Sequence, residues 1–323
     1  MHDIELFKDA VGVYEYEPGT KITKPGLYLN MPMEAYHGTP TIEPSISSSQ
    51  LRTLFNKSPA HYWLGSPMNP DSEPFKDTEF TILGRAAHHL LLGEKDFKEH
   101  FVIRPALGPD GEKWNNAKNI CKAWMKEQAA ERLTVITMEQ LEQIKGMETS
   151  LSAEPAVNDG ILNGEIEASM FYQDPETGIW VKSRPDSIPN DSDAADLKCV
   201  SDVFDEGIAK GLGNNGYHQQ AALTKSAIFH TLRREMENFF LVYVEQKSPH
   251  SVRIETIDPV DIVAGERENR AALHIFRRCL ETNYFPGPKN VAGDGGYVSR
   301  TKYARDNALR KVERYEKELG IQP

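Results

Sequence analysis

Two carboxylates and a lysine near the middle of the chain, Asp186, Asp196 and Lys198, have the types and spacing of a metal-dependent hydrolytic site. Alternate residues of a β-strand point to the same face, so Asp196 and Lys198 would project together from a strand predicted over 194–200. Asp186 stands at the turn before this strand and can reach the same point. Paired carboxylates suit Mg²⁺, which prefers oxygen ligands. Such an ion makes a bound water more acidic, and the lysine would orient that water or help to deprotonate it.

An acidic residue two positions before a lysine also arises by chance, and the alternative interpretation is a solvated charge pair. The same spacing recurs at Asp96 and Lys98, and again at Glu245 and Lys247. Only the pair that begins at Asp196 follows a Pro-Asp turn and lies in a predicted strand. This context favours it as the site.

Two adjacent histidines offer a further ligand. Apolar residues at helical spacing predict a helix from Phe80 to Leu92 that carries His88 and His89, of which at most one can face a given site. One interpretation is a core histidine whose ring is satisfied by hydrogen bonds. The other takes His88 as a third ligand to a metal held by two carboxylates. His88 falls four residues after Gly84, whose missing side chain would let the helix approach another backbone closely.

Basic residues precede Asp186 on a predicted hairpin of two strands, 165–172 and 179–184. Alternation puts Lys182, Arg184 and Asp186 on one face, provided that the strand stays regular that far. They form either a solvated face with ion pairs or a basic rim that contacts phosphates near the metal.

A helix predicted over 216–230 opens with Tyr217 and Gln220, just after the strands. These side chains either cap and line the helix or serve the site. In the second case Gln220 would hydrogen-bond a ligand in the site or a DNA end.

The elements that must position these residues are read from hydrophobic periodicity and turn signals. Residues 1–45 are predicted as loops and short strands, and 59–74 and 104–116 as connections. A capped helix is expected from residue 50, after Ser47–Ser49, and further helices over 117–131, 138–151, 203–210 and 259–282. Further strands are predicted over 238–246 and 251–257. The order indicates an α/β core in which helices flank a mixed sheet.

Composition limits the class of protein. The chain has 323 residues with 39% apolar and 26% charged residues, typical of a globular protein, and no apolar run long enough for a membrane span. Its N-terminus has no basic region ahead of an apolar one, so no secretory signal is expected. Three distant cysteines (Cys121, Cys199 and Cys279) predict reduced thiols and a cytoplasmic location. The net charge of −11 argues mildly against a sequence-independent nucleic-acid binder, although carboxylates of a metal site contribute to it.

The quoted segments together resemble the RecE-type exonucleases, the exodeoxyribonuclease VIII-like proteins of phages and prophages. These belong to the PD-(D/E)xK nucleases and are related to the RecB nuclease domain and lambda exonuclease. The likeness covers about residues 45–285. It includes Ile46–Ser49, Ser58–Tyr62, Gly84–His88, Glu167–Phe171, Asp174–Gly178, Lys182–Asp186, Asp196–Lys198 and Tyr217–Ala222.

The resemblance implies a restriction-endonuclease-like core over 81–285, with a mainly helical N-terminal part over 1–80 and a basic helical tail over 286–323. It also implies roles for individual residues. The implied metal ligands are His88, Asp186, Asp196 and the Leu197 carbonyl, and the implied catalytic group is Lys198 with the supporting Glu167 and Gln220. Thr224 departs from the family, which often has tyrosine there.

The implied activity is a Mg²⁺-dependent exodeoxyribonuclease, with Mn²⁺ as a substitute, that digests one strand of linear duplex DNA 5′→3′ and leaves 3′ tails. The implied partners are double-stranded DNA ends, a single-strand annealing recombinase, and further copies of the chain in a ring-like trimer or tetramer. The alternatives are a structure-specific or restriction-type endonuclease and a catalytically silent DNA-binding subunit.

The predicted DNA contacts are Lys182, Arg184, Arg52 and Tyr217. Arg52, with Ser47 and Ser49, is a candidate for a 5′-phosphate pocket, and helix capping is the alternative role. The basic tail is a further candidate surface, through Arg300, Lys302, Arg305, Arg310 and Lys311.

Overall fold

The computed structural model describes residues 7–72, 77–93, 97–288 and 299–320. Its contacts divide the chain into two compact units, 1–286 and 287–323. The described residues of the second unit form a helix, which begins after Thr301, whose hydroxyl accepts from the Ala304 amide at 3.2 Å.

The helices run in chain order as follows: α1 (Met33–His37), α2 (Ser48–Asn56), α3 (Pro59–Leu64), α4 (Glu79–Leu91), α5 (Phe97–His100), α6 (Asn119–Ala130), α7 (Met138–Leu151), α8 (Pro155–Asn158), α9 (Asp205–Asn215), α10 (Tyr217–Leu232), α11 (Pro259–Thr282) and α12 (Lys302–Leu319). Of the helices in the described residues, none is both long and apolar enough to cross a membrane.

The strands are β1 (Val13–Glu15), β2 (Gly26–Leu29), β3 (Ser45–Ser47), β4 (Phe101–Ile103), β5 (Thr134–Ile136), β6 (Glu165–Ile166), β7 (Ser169–Gln173), β8 (Trp180–Ser183), β9 (Ser187–Ile188), β10 (Asp193–Val200), β11 (Asn238–Glu245) and β12 (Val252–Thr256). One sheet has the order β1-β2-β7-β8-β3, a second has the order β12-β11-β10-β9-β6, and β4 pairs with β5.

A single hairpin connects the two five-stranded sheets. Its first strand is β6 followed by β7, and its second is β8 followed by β9, so each strand starts in one sheet and ends in the other. The first strand changes sheet at Glu167, whose φ of +52° breaks the extended backbone. The Glu167 amide still donates to the Asp186 carbonyl at 3.1 Å, which keeps the two strands together at the crossing.

Helices cover both faces of the second sheet, which explains why β10 and β11 are apolar on both sides. Ala194 and Leu241 face a core shared with α2, α10 and α11. Ala195 and Val242 face the opposite core, formed with α4 and α7. Asp196 and Lys198 alternate along β10 with Ala195 and Leu197, so their side chains point to the opposite face of the sheet, toward α10.

The mixed α/β core predicted from the sequence is confirmed, and the long helix at 259–282 has the predicted bounds. Three local predictions were wrong. The connection over 59–74 contains α3, the first 45 residues contain α1, and the strand over 165–172 is divided at Glu167. The parallel pair of β4 and β5 was not predicted, since three-residue strands carry too little periodicity.

Candidate metal and catalytic centre

Asp196 and Lys198 come from β10, in the middle of the second sheet. Their side chains point to the same face, as alternation predicts, and the Lys198 ammonium donates to Asp196 Oδ2. The Asp196 carboxylate is nearly fully buried, and only 18% of the Lys198 side chain is exposed.

Asp186 lies where the hairpin enters the second sheet, just before β9. Because β9 pairs antiparallel with β10 through Ser187 and Ala195, Asp186 falls opposite Asp196 and next to Leu197. Its Oδ2 accepts from the Leu197 amide at 2.6 Å. The N–H and C=O of one strand residue point to the same side, so the Leu197 carbonyl faces that side too.

His88 reaches the carboxylates from α4, on the other side of the sheet. Its Nε2 is 2.6 Å from Asp186 Oδ2, and its Nδ1 is 3.3 Å from Glu167 Oε1. His89 points away and is buried beside Phe97 and Phe101. Of the two adjacent histidines, His88 is therefore the one that lies beside Glu167 and Asp186.

Gln220 closes the site from α10. This helix begins after Gly216, whose φ of +60° turns the chain from α9 into α10. The Gln220 amide donates to Asp196 Oδ2 at 3.0 Å, and its oxygen accepts from Lys198 at 3.3 Å. The Tyr217 ring lies 4.8 Å from the Lys198 ammonium. Both α10 residues singled out by the sequence thus contact Lys198.

The charges in the site are strongly coupled. Burial disfavours the charged imidazole of His88. The charge and hydrogen bond of Asp186, together with those of Glu167, outweigh this effect and raise the pKa of His88. Burial, and then the negative charge of Asp186, raise the pKa of Asp196. Burial works against charged Lys198, yet Asp196 and Asp186 outweigh it and raise the pKa of the ammonium. Two buried carboxylates whose charges act on each other in this way favour a cation between them.

The donor set fits a divalent ion that prefers oxygen. His88, Glu167 and Asp186 each offer one ligand atom, and these atoms lie within 4.8 Å of one another. From β10, Asp196 lies close enough for the charge of Asp186 to raise its pKa, and the Leu197 carbonyl points to the side on which the Leu197 amide binds Asp186. Carboxylates, a carbonyl and one imidazole are ligands that suit Mg²⁺ or Mn²⁺.

Lys182 and Arg184, the two basic residues predicted to contact phosphates near the metal, make their contacts inside the protein. Lys182 is 1% exposed, and its ammonium donates to the Tyr36 carbonyl at 2.6 Å. The prediction that Lys182 contacts DNA was therefore wrong, because that face of β8 is covered by α1. Arg184 is 8% exposed and lies against Glu167, which leaves little of it for a phosphate.

Arg52 and Tyr217 lie near the site but on its α2 and α9 side. The Arg52 guanidinium donates to the Asn215 carbonyl, and burial lowers its pKa while Tyr217 and Asp196 act in the opposite direction. Ser47 caps α2 as the alternative interpretation had it, through Gln50. A DNA contact by Arg52 or Tyr217 stays a prediction. So does one by the tail residues of α12, a helix of the second unit.

One predicted packing detail is corrected, and one set of contacts was not predicted. Among the described residues, a Cβ built at Gly84 would meet the Gln246 side-chain nitrogen at 3.5 Å and no backbone atom, so the expected close backbone approach is not found there. The carbonyls of Met31 and Tyr36, which bind Arg184 and Lys182, were not found from the sequence. Backbone acceptors leave no side-chain signature, so no motif could have shown them.

Known proteins share the fold that carries this site. A family model described as "PDDEXK-like domain of unknown function (DUF3799)" matches residues 47–294. The crystal structure of a candidate exonuclease from Eubacterium rectale superposes with a TM-score of 0.56 at 12% identity, over 87% of this chain and 99% of that one. This likeness supports the fold. No curated protein matches the sequence.

An alkaline exonuclease from Laribacter hongkongensis is also similar, at 13% identity over 52% of this chain and 87% of that one. The same enzyme in complex with dAMP gives 14% identity over the same shares. The TM-score is 0.24 in both cases, so we draw no argument from them.

Proposed function

Because this chain belongs to the family of PDDEXK-like domains that matches residues 47–294, we propose that it is a divalent-metal-dependent exodeoxyribonuclease. It would digest one strand of linear duplex DNA from the 5′ end and leave 3′ single-stranded tails. The observation that carries the proposal is the cluster of Asp186, Asp196, Lys198, His88 and Gln220 around one point of the sheet.

The metal ligands in this proposal are Asp186, Asp196, His88 and the Leu197 carbonyl. When bound, a divalent ion supplies a more acidic water and stabilises charge on the scissile phosphate. The buried position of both carboxylates limits competition from solvent, which strengthens their attraction for a cation.

Lys198 is the group that faces the attacking water in this proposal. Its ammonium is held by Asp196 Oδ2 and Gln220 Oε1 and lies over the Tyr217 ring. These contacts fix a side chain that otherwise rotates freely, so the ammonium can orient the water without first losing entropy. Gln220 contacts both Asp196 and Lys198 and would hold their side chains in fixed positions relative to each other.

The finer parts of the proposal come from the likeness to RecE-type exonucleases in the sequence. They are the 5′→3′ polarity, the preference for Mg²⁺, the ring-like oligomer and the single-strand annealing partner. The neighbour from Eubacterium rectale is described as a candidate exonuclease, which agrees with action at a DNA end.

The test compares three duplexes in Mg²⁺: a linear one labelled at a 5′ end, a linear one labelled at a 3′ end, and a covalently closed circle. We expect early release of the 5′ label, slow loss of the 3′ label and an intact circle. Cutting of the circle would show an endonuclease, and binding without cleavage would show a silent subunit.

Two variants complete this test. Asp196→Asn should abolish cleavage, because it removes a charged ligand and keeps the side-chain shape. The matched control is Glu245→Gln, a buried carboxylate in another acid-x-lysine triplet whose Oε2 accepts from the Ser251 amide at 3.2 Å. It should cleave as the wild type does, and full activity in EDTA would overturn the assignment.

A further inference from the structure

We propose that Arg184 is a positioning residue, which holds the Glu167 carboxylate against His88, and that it is not a contact for DNA. The inference rests on the proposed function, since His88 is taken there as a metal ligand. It replaces the basic rim that alternation along the hairpin predicted.

The hydrogen-bonding groups of Arg184 are used within the protein. Its Nε donates to the Glu167 carbonyl at 2.6 Å and lies 3.2 Å from Glu167 Oε2. One terminal nitrogen donates to the Met31 carbonyl, and the other is 3.6 Å from Met33 Sδ. A guanidinium presents its donors in a rigid fork, so these partners together fix its plane.

Glu167 needs such support because its backbone is strained. It is a non-glycine residue with φ of +52°, a conformation that costs about 1–2 kcal/mol for a residue with a Cβ atom. Arg184 binds the carbonyl and the carboxylate of this same residue. One side chain therefore stabilises the kink in the hairpin and the direction of the acid.

The carboxylate of Glu167 is shared between two partners. Its Oε2 faces Arg184, and its Oε1 is 3.3 Å from His88 Nδ1. An acid on one imidazole nitrogen fixes the ring and directs the other nitrogen, here Nε2, toward the metal position beside Asp186. The chain of contacts thus runs from Arg184 through Glu167 to His88.

Helix α1 keeps Arg184 from turning outward. The guanidinium lies 5.3 Å from the centre of the Tyr36 ring, and Tyr36 is buried. The Tyr36 carbonyl is itself held by Lys182. Reaching a phosphate would require Arg184 to leave Glu167, Met31 and this ring together.

The test measures metal and DNA binding separately in the full-length protein. Mn²⁺ is titrated calorimetrically without DNA, and binding to a duplex end is titrated with salt in Ca²⁺. Removal of residues that orient metal ligands typically weakens metal affinity about 10–100-fold. We expect a loss of about this size in Arg184→Gln, with an unchanged salt slope for DNA.

Glu167→Gln should show a similar loss, and the double variant should lose no more than Glu167→Gln alone, because both changes break the same chain of contacts. The matched control is Arg270→Gln. Arg270 also binds a carboxylate, that of Asp174 at 2.7 and 2.8 Å, on the turn of the same hairpin. It should bind Mn²⁺ as the wild type does.

A flatter salt slope with intact metal affinity in Arg184→Gln would overturn the proposal and restore the DNA contact. Additive losses in the double variant would also overturn it. Should Arg184→Gln not fold, Arg184→Lys keeps the charge and most of the stem but loses the fork, and it should still weaken Mn²⁺ binding. Undiminished Mn²⁺ affinity in Glu167→Gln refutes the proposal on its own.

A readout without metal or DNA separates this inference from the proposed function. The ¹⁵N resonance of His88 Nδ1 in the metal-free protein should move in the same direction in Arg184→Gln and Glu167→Gln, and stay in place in Arg270→Gln. A resonance that does not move would refute the positioning role. A protein that shows these shifts yet never cleaves DNA would refute only the proposed function.

Discussion

The backbone amide of Glu167 donates to the backbone carbonyl of Asp186 over 3.1 Å, at the point where both strands of the hairpin pass from one sheet to the other. Glu167 and Asp186, the two acids that contact His88, are therefore neighbours across one pair of strands. Their separation is set by main-chain geometry, and it does not depend on a flexible loop. A rigid frame of this kind preorganises the site before any substrate arrives.

Lys198→Gln should lower kcat by about 10²–10⁴-fold, the range for losing a group that transfers or orients a proton in the transition state. The apparent affinity for a duplex end in Ca²⁺ should change little, because the ammonium is mostly buried and bound to Asp196. Single-turnover digestion and end binding are the two measurements. If Lys198→Gln digests DNA at the wild-type rate, Lys198 has no catalytic role and serves only as a buried ion-pair partner of Asp196.

Gln220→Ala should reduce kcat about tenfold or more, since it frees both Asp196 and Lys198 from their shared partner. Its neighbour provides the control. Gln219 is fully buried, and its side-chain oxygen accepts from Asn56 Nδ2 at 3.2 Å, so Gln219→Ala should lower stability more than it lowers the rate per folded molecule. Equal kinetic losses in the two variants would contradict the role of Gln220.

Because the Lys182 ammonium is buried, we expect the free energy of unfolding to rise with pH in alkaline solution. Burial lowers the pKa of its ammonium to about 8 in the folded protein, whereas it is near 10.4 in an unfolded chain. Between these values the unfolded chain binds more protons, so the free energy of unfolding increases with pH. The cost of burying the charge is complete below pH 8, and about 3 kcal/mol is relieved as the pH rises through this window.

Urea unfolding of the wild type and of Lys182→Met from pH 7 to pH 10 measures this effect. The wild type should gain stability relative to Lys182→Met over the rise. Nearby His37 does not interfere, because burial and then Lys182 lower its pKa and it is neutral throughout. Parallel curves for the two proteins would show that Lys182 is neither buried nor shifted as described.

Two helical glycines should respond oppositely to alanine. A Cβ at Gly265 would lie 2.6 Å from the His218 carbonyl, so Gly265→Ala must push α11 from α10 and should cost about 1–3 kcal/mol. Gly84→Ala meets only the Gln246 amide at 3.5 Å and should gain about 0.5–1 kcal/mol of helix propensity. Denaturant unfolding gives both values. Because α10 carries Gln220, Gly265→Ala should also slow digestion.

The residues of the site could be predicted because each lies on an element with a strong local signal. Asp196 and Lys198 alternate on a long strand, and Gln220 is in the first turn of a helix marked by Gly216. His88 lies beside Asp186 and Glu167, whereas His89 packs among aromatic rings. Whether these residues perform their predicted roles stays a prediction.

The error at Lys182 has a specific origin. Alternation gave the correct face of β8, but the sequence did not show that α1 covers it. Helix α1 has five residues and no side-chain cap, so nothing in its periodicity marks it as a helix. The division of the hairpin at Glu167 was missed for a related reason, because positive φ at a non-glycine residue is set by tertiary contacts.

The first sheet includes strands that precede the segment matched by the family model. The match starts at residue 47, whereas β1 and β2 lie earlier and β2 pairs directly with β7. A shortened protein that begins at residue 47 would leave the edge of β7 unpaired, uncover Met170 and Phe171, and remove the carbonyls that bind Lys182 and Arg184. The first sheet is therefore larger than the segment that the family model matches, and gene fragments for expression should reach back at least to β1.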